Sequence, residues 1–202
     1  MKRIVILFAL LWGAAVGYAQ SGSELLGRLS EQMAAMGSYR IDFELEMPAA
    51  TATSKGYCVV SGERYKIAIE DLMQGCDGTL LWMQNGTTRE VTLDHPNKQS
   101  RNLFDNPTKA FDFAEELFEV ESITTNKAGC WQLVLLPAEG VLGGIERVVV
   151  DVDKKSGFPT RLGYDMSGVG LWINIVKIGS VDTSPDDFSV EVPEGFEVID
   201  FR

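Results

Sequence analysis

The chain has 202 residues, a formal net charge of −11, 45% hydrophobic residues and three cysteines. So acidic a balance excludes the electrostatic footprint of a nucleic-acid binder and of a protein that docks by charge on an anionic membrane. Its length is that of one ordinary domain with room for a sizeable core.

Residues 1–19 read as a signal peptide. Lys2 and Arg3 form a positive start, residues 4–16 are an apolar run, and Gly17-Tyr18-Ala19 sets small residues at the positions a signal peptidase reads. Cleavage is expected after Ala19. The run is too short to span a bilayer as a helix, which takes roughly 20 residues. No cysteine lies near the cleavage point, so no lipid anchor is expected. What remains, residues 20–202, is a single domain of charge about −13 in the periplasm.

Residues 24–36 predict an amphipathic helix: Leu25, Leu26, Leu29, Met33 and Met36 recur at helical spacing, with Ser23 as N-cap and Gly37 as stop. The period then falls to two. Ile41, Phe43, Leu45 and Met47 alternate with Asp42, Glu44 and Glu46, as a strand with one wet face requires. Strand signals follow over residues 56–60 and 64–70. Asp77-Gly78 marks a turn before residues 80–84, and Asn85-Gly86 is the strongest hairpin signal, returning the chain along residues 88–93. Asn106-Pro107 precedes a short mid-chain helix over residues 108–117. Strands resume over residues 118–124, 131–136, 145–152, 159–165 and 171–178, and the tail carries apolar stretches at 188–190 and 196–199. The sum is about ten strands, mainly antiparallel, with one helix at the start and one in the middle. Residues 131–136 and 171–178 are apolar on both faces, which fits a sheet covered on both sides or one curled around an apolar cavity.

Catalytic chemistry finds little support. His95 is the only histidine. A three-histidine zinc site is therefore ruled out, and no serine sits in a nucleophile-elbow spacing to pair with it. Asp42, Glu44 and Glu46 share a strand face, and same-face neighbours about 7 Å apart could serve paired-carboxylate chemistry. Their alternation with Ile41, Phe43 and Leu45 is already explained by a solvated face. Neither an enzyme nor a metal or cofactor site is expected. An oxidising compartment allows one disulfide among Cys58, Cys76 and Cys130. Cys58–Cys76, on neighbouring strands, is the favoured pair, and three buried thiols are the alternative.

The order of features, more than any single residue, carries a family resemblance. A signal peptide and an amphipathic helix lead to a strand with Phe43, then to the run Cys76-Asp77-Gly78-Thr79-Leu80-Leu81-Trp82, then to Arg89-Glu90-Val91. The chain closes on Phe188 and Pro193-Glu194-Gly195-Phe196-Glu197-Val198-Ile199. This resembles the LolA family of periplasmic lipoprotein carriers over nearly all of the mature chain. The resemblance implies a strongly curved, incomplete β-barrel whose concave face is covered by the two helices. It implies a monomeric carrier that shields acyl chains between an inner-membrane exporter and an outer-membrane receptor. Phe43, Leu45, Tyr65, Ile67, Leu80, Trp82, Trp131, Leu133 and Trp172 are the apolar positions expected to line such a cavity. Arg64 is the nearest match to the arginine that tethers the helical lid in that family, although the arginine-proline context is missing. A lipid- or protein-sensing envelope module on the same fold is the rival reading, and an envelope enzyme needs Asp42, Glu44 and Glu46 to point inward.

Overall fold

A computed structural model describes residues 21–47, 52–97, 111, 113, 117–138 and 144–202. The expected signal peptide lies outside them, as does the expected helix over residues 108–117 apart from Phe111, Phe113 and Leu117, all three buried.

Helix α1 (Gly22–Ala35) begins earlier than the apolar period suggests, because Ser21 caps it. The Ser21 hydroxyl accepts from Glu24 N–H while the Glu24 carboxylate accepts from Ser21 N–H, a reciprocal box that satisfies two otherwise orphaned donors. Its buried stripe is Leu25, Leu26, Leu29 and Met33.

Twelve strands follow: β1 (Ser38–Glu46), β2 (Ser54–Ser61), β3 (Arg64–Ile69), β4 (Leu72–Cys76), β5 (Leu81–Asn85), β6 (Glu90–Asp94), β7 (Phe118–Thr125), β8 (Trp131–Pro137), β9 (Arg147–Val152), β10 (Pro159–Met166), β11 (Val169–Ser180) and β12 (Glu197–Asp200). They form one sheet in the order β12-β6-β5-β4-β3-β2-β1-β11-β10-β9-β8-β7. This corrects the expected strongly curved incomplete barrel of about ten strands. The sheet is open, with β12 and β7 at opposite edges and no pairing between them. It is also mixed: β12 joins β6 in parallel, extending the sheet at one edge instead of closing it.

Two bulges keep the apolar side continuous. Between β1 and β11 the register slips so that Val176 is left unpaired, and Ile175 and Ile178 both reach the core although two residues separate them. The slip between β7 and β8 at Glu121 does the same for Val120 and Ile123. One face of the sheet thereby carries buried apolar residues from β7 through to β3, including Leu133, Leu135, Val148, Val150, Leu162, Ile41 and Cys58. Helix α1 lies against the β7 side of that face. The opposite face has its own small cluster on β5 and β6, where Trp82, Val91 and Leu93 are covered by Val190 and Phe196 of the C-terminal segment.

Candidate functional site

The principal apolar face is not filled along its whole width. Where α1 ends its cover, a groove of about 320 Å³ remains. Its floor is built mainly from alternate residues of the strands: Phe43 and Leu45 on β1, Ile67 and Ile69 on β3, Leu72 and Gln74 on β4 with Met73 beside them, and Met83 on β5. Leu171 and Ile173 of β11, with Tyr164 and Met166 of β10, form the other side, and Phe111 and Ile145 complete it. Among these described residues the only polar side chains are Gln74 and Tyr164. Gln74 Nε2 donates to Tyr65 Oη at 3.2 Å. Burial pushes the Tyr164 phenol above its ordinary value, so it stays neutral at any physiological pH.

Local sequence explains the shape of the floor. Phe43 faces Gly56 directly across β1 and β2. A Cβ on Gly56 would lie 2.7 Å from Phe43 Cε2, so the ring lies flat only because the glycine has no side chain. The groove opens to solvent at Leu72 and Met83, which line it and remain 50% and 48% exposed.

Of the residues expected to line a cavity, the structure places Phe43, Leu45 and Ile67 in the groove. Tyr65 and Leu133 share its face but belong to the packed core, and Trp131 packs against that core beneath Lys154 Nζ at 4.1 Å. Leu80 and Trp82 belong to the opposite cluster. Trp172 also faces the opposite side, lying across Gly163 with the Arg161 guanidinium 4.0 Å from its ring centroid. Ile69, Leu72, Met83, Met166, Leu171 and Ile173 were not singled out from the sequence. The signal that finds most of them is parity: Ile69 continues the phase of Ile67, and Leu171 and Ile173 flank Trp172 on the other phase.

Arg64 does not reach toward α1. Its guanidinium lies 5.5 Å from the Phe188 ring centroid, so it meets the C-terminal segment instead. The expected Cys58–Cys76 bridge is absent, and neither residue is part of a disulfide. Strand β3 stands between them. Two strand spacings make about 9 to 10 Å, beyond the roughly 7 Å Cα separation a disulfide tolerates. Burial pushes the Cys58 thiol up to about 12. The carboxylates of β1 face away from the groove and are paired: Asp42 with Arg40 at 2.6 Å, Glu44 with Lys55 at 3.9 Å, and Glu46 with Arg161 at 3.4 Å. His95 is exposed just after β6. Among the described residues no group of three or more histidines, cysteines or acidic residues could hold a metal ion, and no helix is long and apolar enough to cross a membrane.

No protein-family model matches the chain, and no curated protein does. Solved structures do. An uncharacterised conserved protein from Thermus thermophilus superposes with a TM-score of 0.58 at 12% identity, over 90% of this chain and 99% of that one. That likeness is one of fold alone. Weaker likenesses include a LolA superfamily protein from Nitrosomonas europaea, with a TM-score of 0.44 at 10% identity over 85% of this chain and 99% of that one. Lipoprotein LppX from Mycobacterium tuberculosis has a TM-score of 0.42 at 9% identity, over 81% and 99%.

Proposed function

We propose that the processed chain is a periplasmic carrier that holds the acyl chains of lipoproteins, or of other acylated molecules, in the groove between β1, β3–β5, β10 and β11. It performs no covalent chemistry in this reading. The groove itself carries the proposal. Protein interiors are close-packed with few voids larger than a water molecule, yet about 320 Å³ stays open among side chains that are almost all aliphatic, aromatic or thioether. A volume of that order is within the range of small-molecule sites. Each methylene moved from water onto such a wall gains about 0.8 kcal/mol, so one long chain supplies enough free energy for a stable complex. The half-exposed Leu72 and Met83 mark a way in and out that does not require the core to unfold. The signal peptide supports the periplasmic location. The resemblance in feature order supports an exporter on one membrane and a receptor on the other as partners.

Native mass spectrometry of residues 20–202 with a triacylated lipopeptide tests this reading. A one-to-one adduct at micromolar concentration is the expected result. An unchanged apo mass, with no co-purified lipid, overturns it. Ile67→Asp sets an unpaired carboxylate in the groove wall and is expected to abolish the adduct, while Val192→Asp, on the exposed C-terminal segment, leaves it intact.

A further inference from the structure

Three thioethers line the groove: Met83 on β5, Met166 at the end of β10, and Met73 on β4, which is half-buried and packs against the Trp82 cluster. They differ in access. Met83 is 48% exposed at the mouth, whereas Met166 packs against the core. Register fixes the direction of Met83: it faces Gln74 on one side and Thr92 on the other, on the groove side of the sheet. An unbranched thioether fills an irregular apolar wall well, and its sulfur is also the atom that two-electron oxidants attack.

We infer that Met83 is an oxidation site at which peroxide or hypohalous acid converts the groove from an acyl-binding to a weakly binding state. The inference rests on the carrier reading of the same groove. With hydrogen peroxide, the Met83 sulfur attacks one peroxide oxygen, the O–O bond breaks, an S–O bond forms and water leaves. Sulfur loses two electrons and the peroxide gains them. The product sets a strongly polar S=O group among Leu72, Ile67 and Leu45. An empty mouth leaves that oxygen hydrated. A seated acyl chain strips its water and offers no donor in return, at a cost that converts to roughly tenfold or greater loss of affinity. Methionine sulfoxide is reduced back by its dedicated reductases, so the change is reversible.

Limited peroxide treatment followed by peptide mapping and lipopeptide titration tests it. Met47 and Met33, at 47% and 4% exposure, are internal standards for open and closed sulfurs. Met83 is expected to gain oxygen along with Met47 and ahead of Met33, and affinity is expected to fall about tenfold or more. A methionine sulfoxide reductase should restore it. Met83→Leu, compared with its own untreated form, should keep its affinity after peroxide, while Met47→Leu should remain as sensitive as the wild type. The inference is overturned if Met83 stays reduced once Met47 is oxidised, if the oxidised chain binds as tightly as before, or if Met83→Leu loses as much affinity as the wild type. Failure of the untreated chain to bind is a different result: it removes the carrier reading and the effect on affinity with it, while mapping still decides whether Met83 is the reactive sulfur.

Discussion

Three aromatic rings lie across glycines that face them on the neighbouring strand: Phe43 over Gly56, Trp82 over Gly75 and Trp172 over Gly163. Each ring covers backbone that a glycine would otherwise leave bare, and each needs the missing Cβ to do so. A Cβ on Gly75 would fall within the Trp82 indole. Gly75→Ala is therefore expected to destabilise the fold by about 1 to 3 kcal/mol, as overpacking does. Gly179→Ala is the matched control, since nothing lies within 4 Å of its Cβ position; it should stay within about 0.5 kcal/mol of the parent. Urea denaturation of both variants checks the pair, and equal midpoints would remove the ring-on-glycine account. These pairs also show why site residues were only partly legible. Large aromatics attract attention as cavity lining, but Trp82 and Trp172 turn to the opposite face. Phe43 lies in the groove by the same device, so a facing glycine marks a ring laid flat without saying on which side.

Among the elements, helix α1 and the first strand were plain from their periods, and both Asp77-Gly78 and Asn85-Gly86 mark real reversals of the chain. The second is wider than a two-residue hairpin. Asn85 pairs with Glu90, its side-chain oxygen accepts from Thr87 and Thr88 N–H, and Arg89 takes a φ of 57°. Strand β4 escaped notice because Gln74 and Gly75 interrupt any apolar alternation, and because Glu70 turns the chain at a φ of 50° with no glycine to announce it. The C-terminal segment is held to the opposite face by side chains that no local pattern reveals. Trp82 Nε1 donates to Phe188 O at 2.9 Å, and Lys66 Nζ donates to Asp187 O at 3.3 Å. Trp82→Phe keeps most of the packing and leaves the buried Phe188 carbonyl without its donor, at a cost of about 1 to 3 kcal/mol. Faster amide exchange over residues 188–200 than over β1 should report it. Unchanged protection there would mean that the parallel pairing of β12 holds the segment by itself.

For the molecule as a whole, the sequence conveyed a mainly β fold, and its closure was the error. Apolar residues on both sides of residues 131–136 and 171–178 fit a doubly covered sheet as well as a curled one, and only the family resemblance implied the curl. The bulge at Val176 accounts for part of the pattern over residues 171–178 within an open sheet. Strand order and the parallel sense of β12 are long-range facts, joining residues 197–200 to 90–93, and turn chemistry holds no record of them. Thiol reactivity checks the whole arrangement at once. Cys58 and Cys76 are buried thiols outside any disulfide, and Cys130 is only partly covered. Alkylation of the native chain without reductant should label Cys130 alone, and all three thiols should react in strong denaturant. Two labels fewer in denaturant would reveal a disulfide and a different register for β2 to β4.

Near the middle of the sheet β1 pairs with β11, the first strand with the eleventh. During synthesis, which proceeds from the N-terminus, β2 to β6 can pair with their neighbours as they emerge. One edge of β1 must wait, with Ile41 and Phe43 covered on one flank only, until most of the chain has been made. Helix α1 waits too, because its main contact on the sheet is with β7. The segment made first is thus among the last to be completed. An exposed apolar edge of that duration is a standing invitation to pair with another chain, and it makes the interval between the birth of β1 and the arrival of β11 the period in which this protein most needs a chaperone.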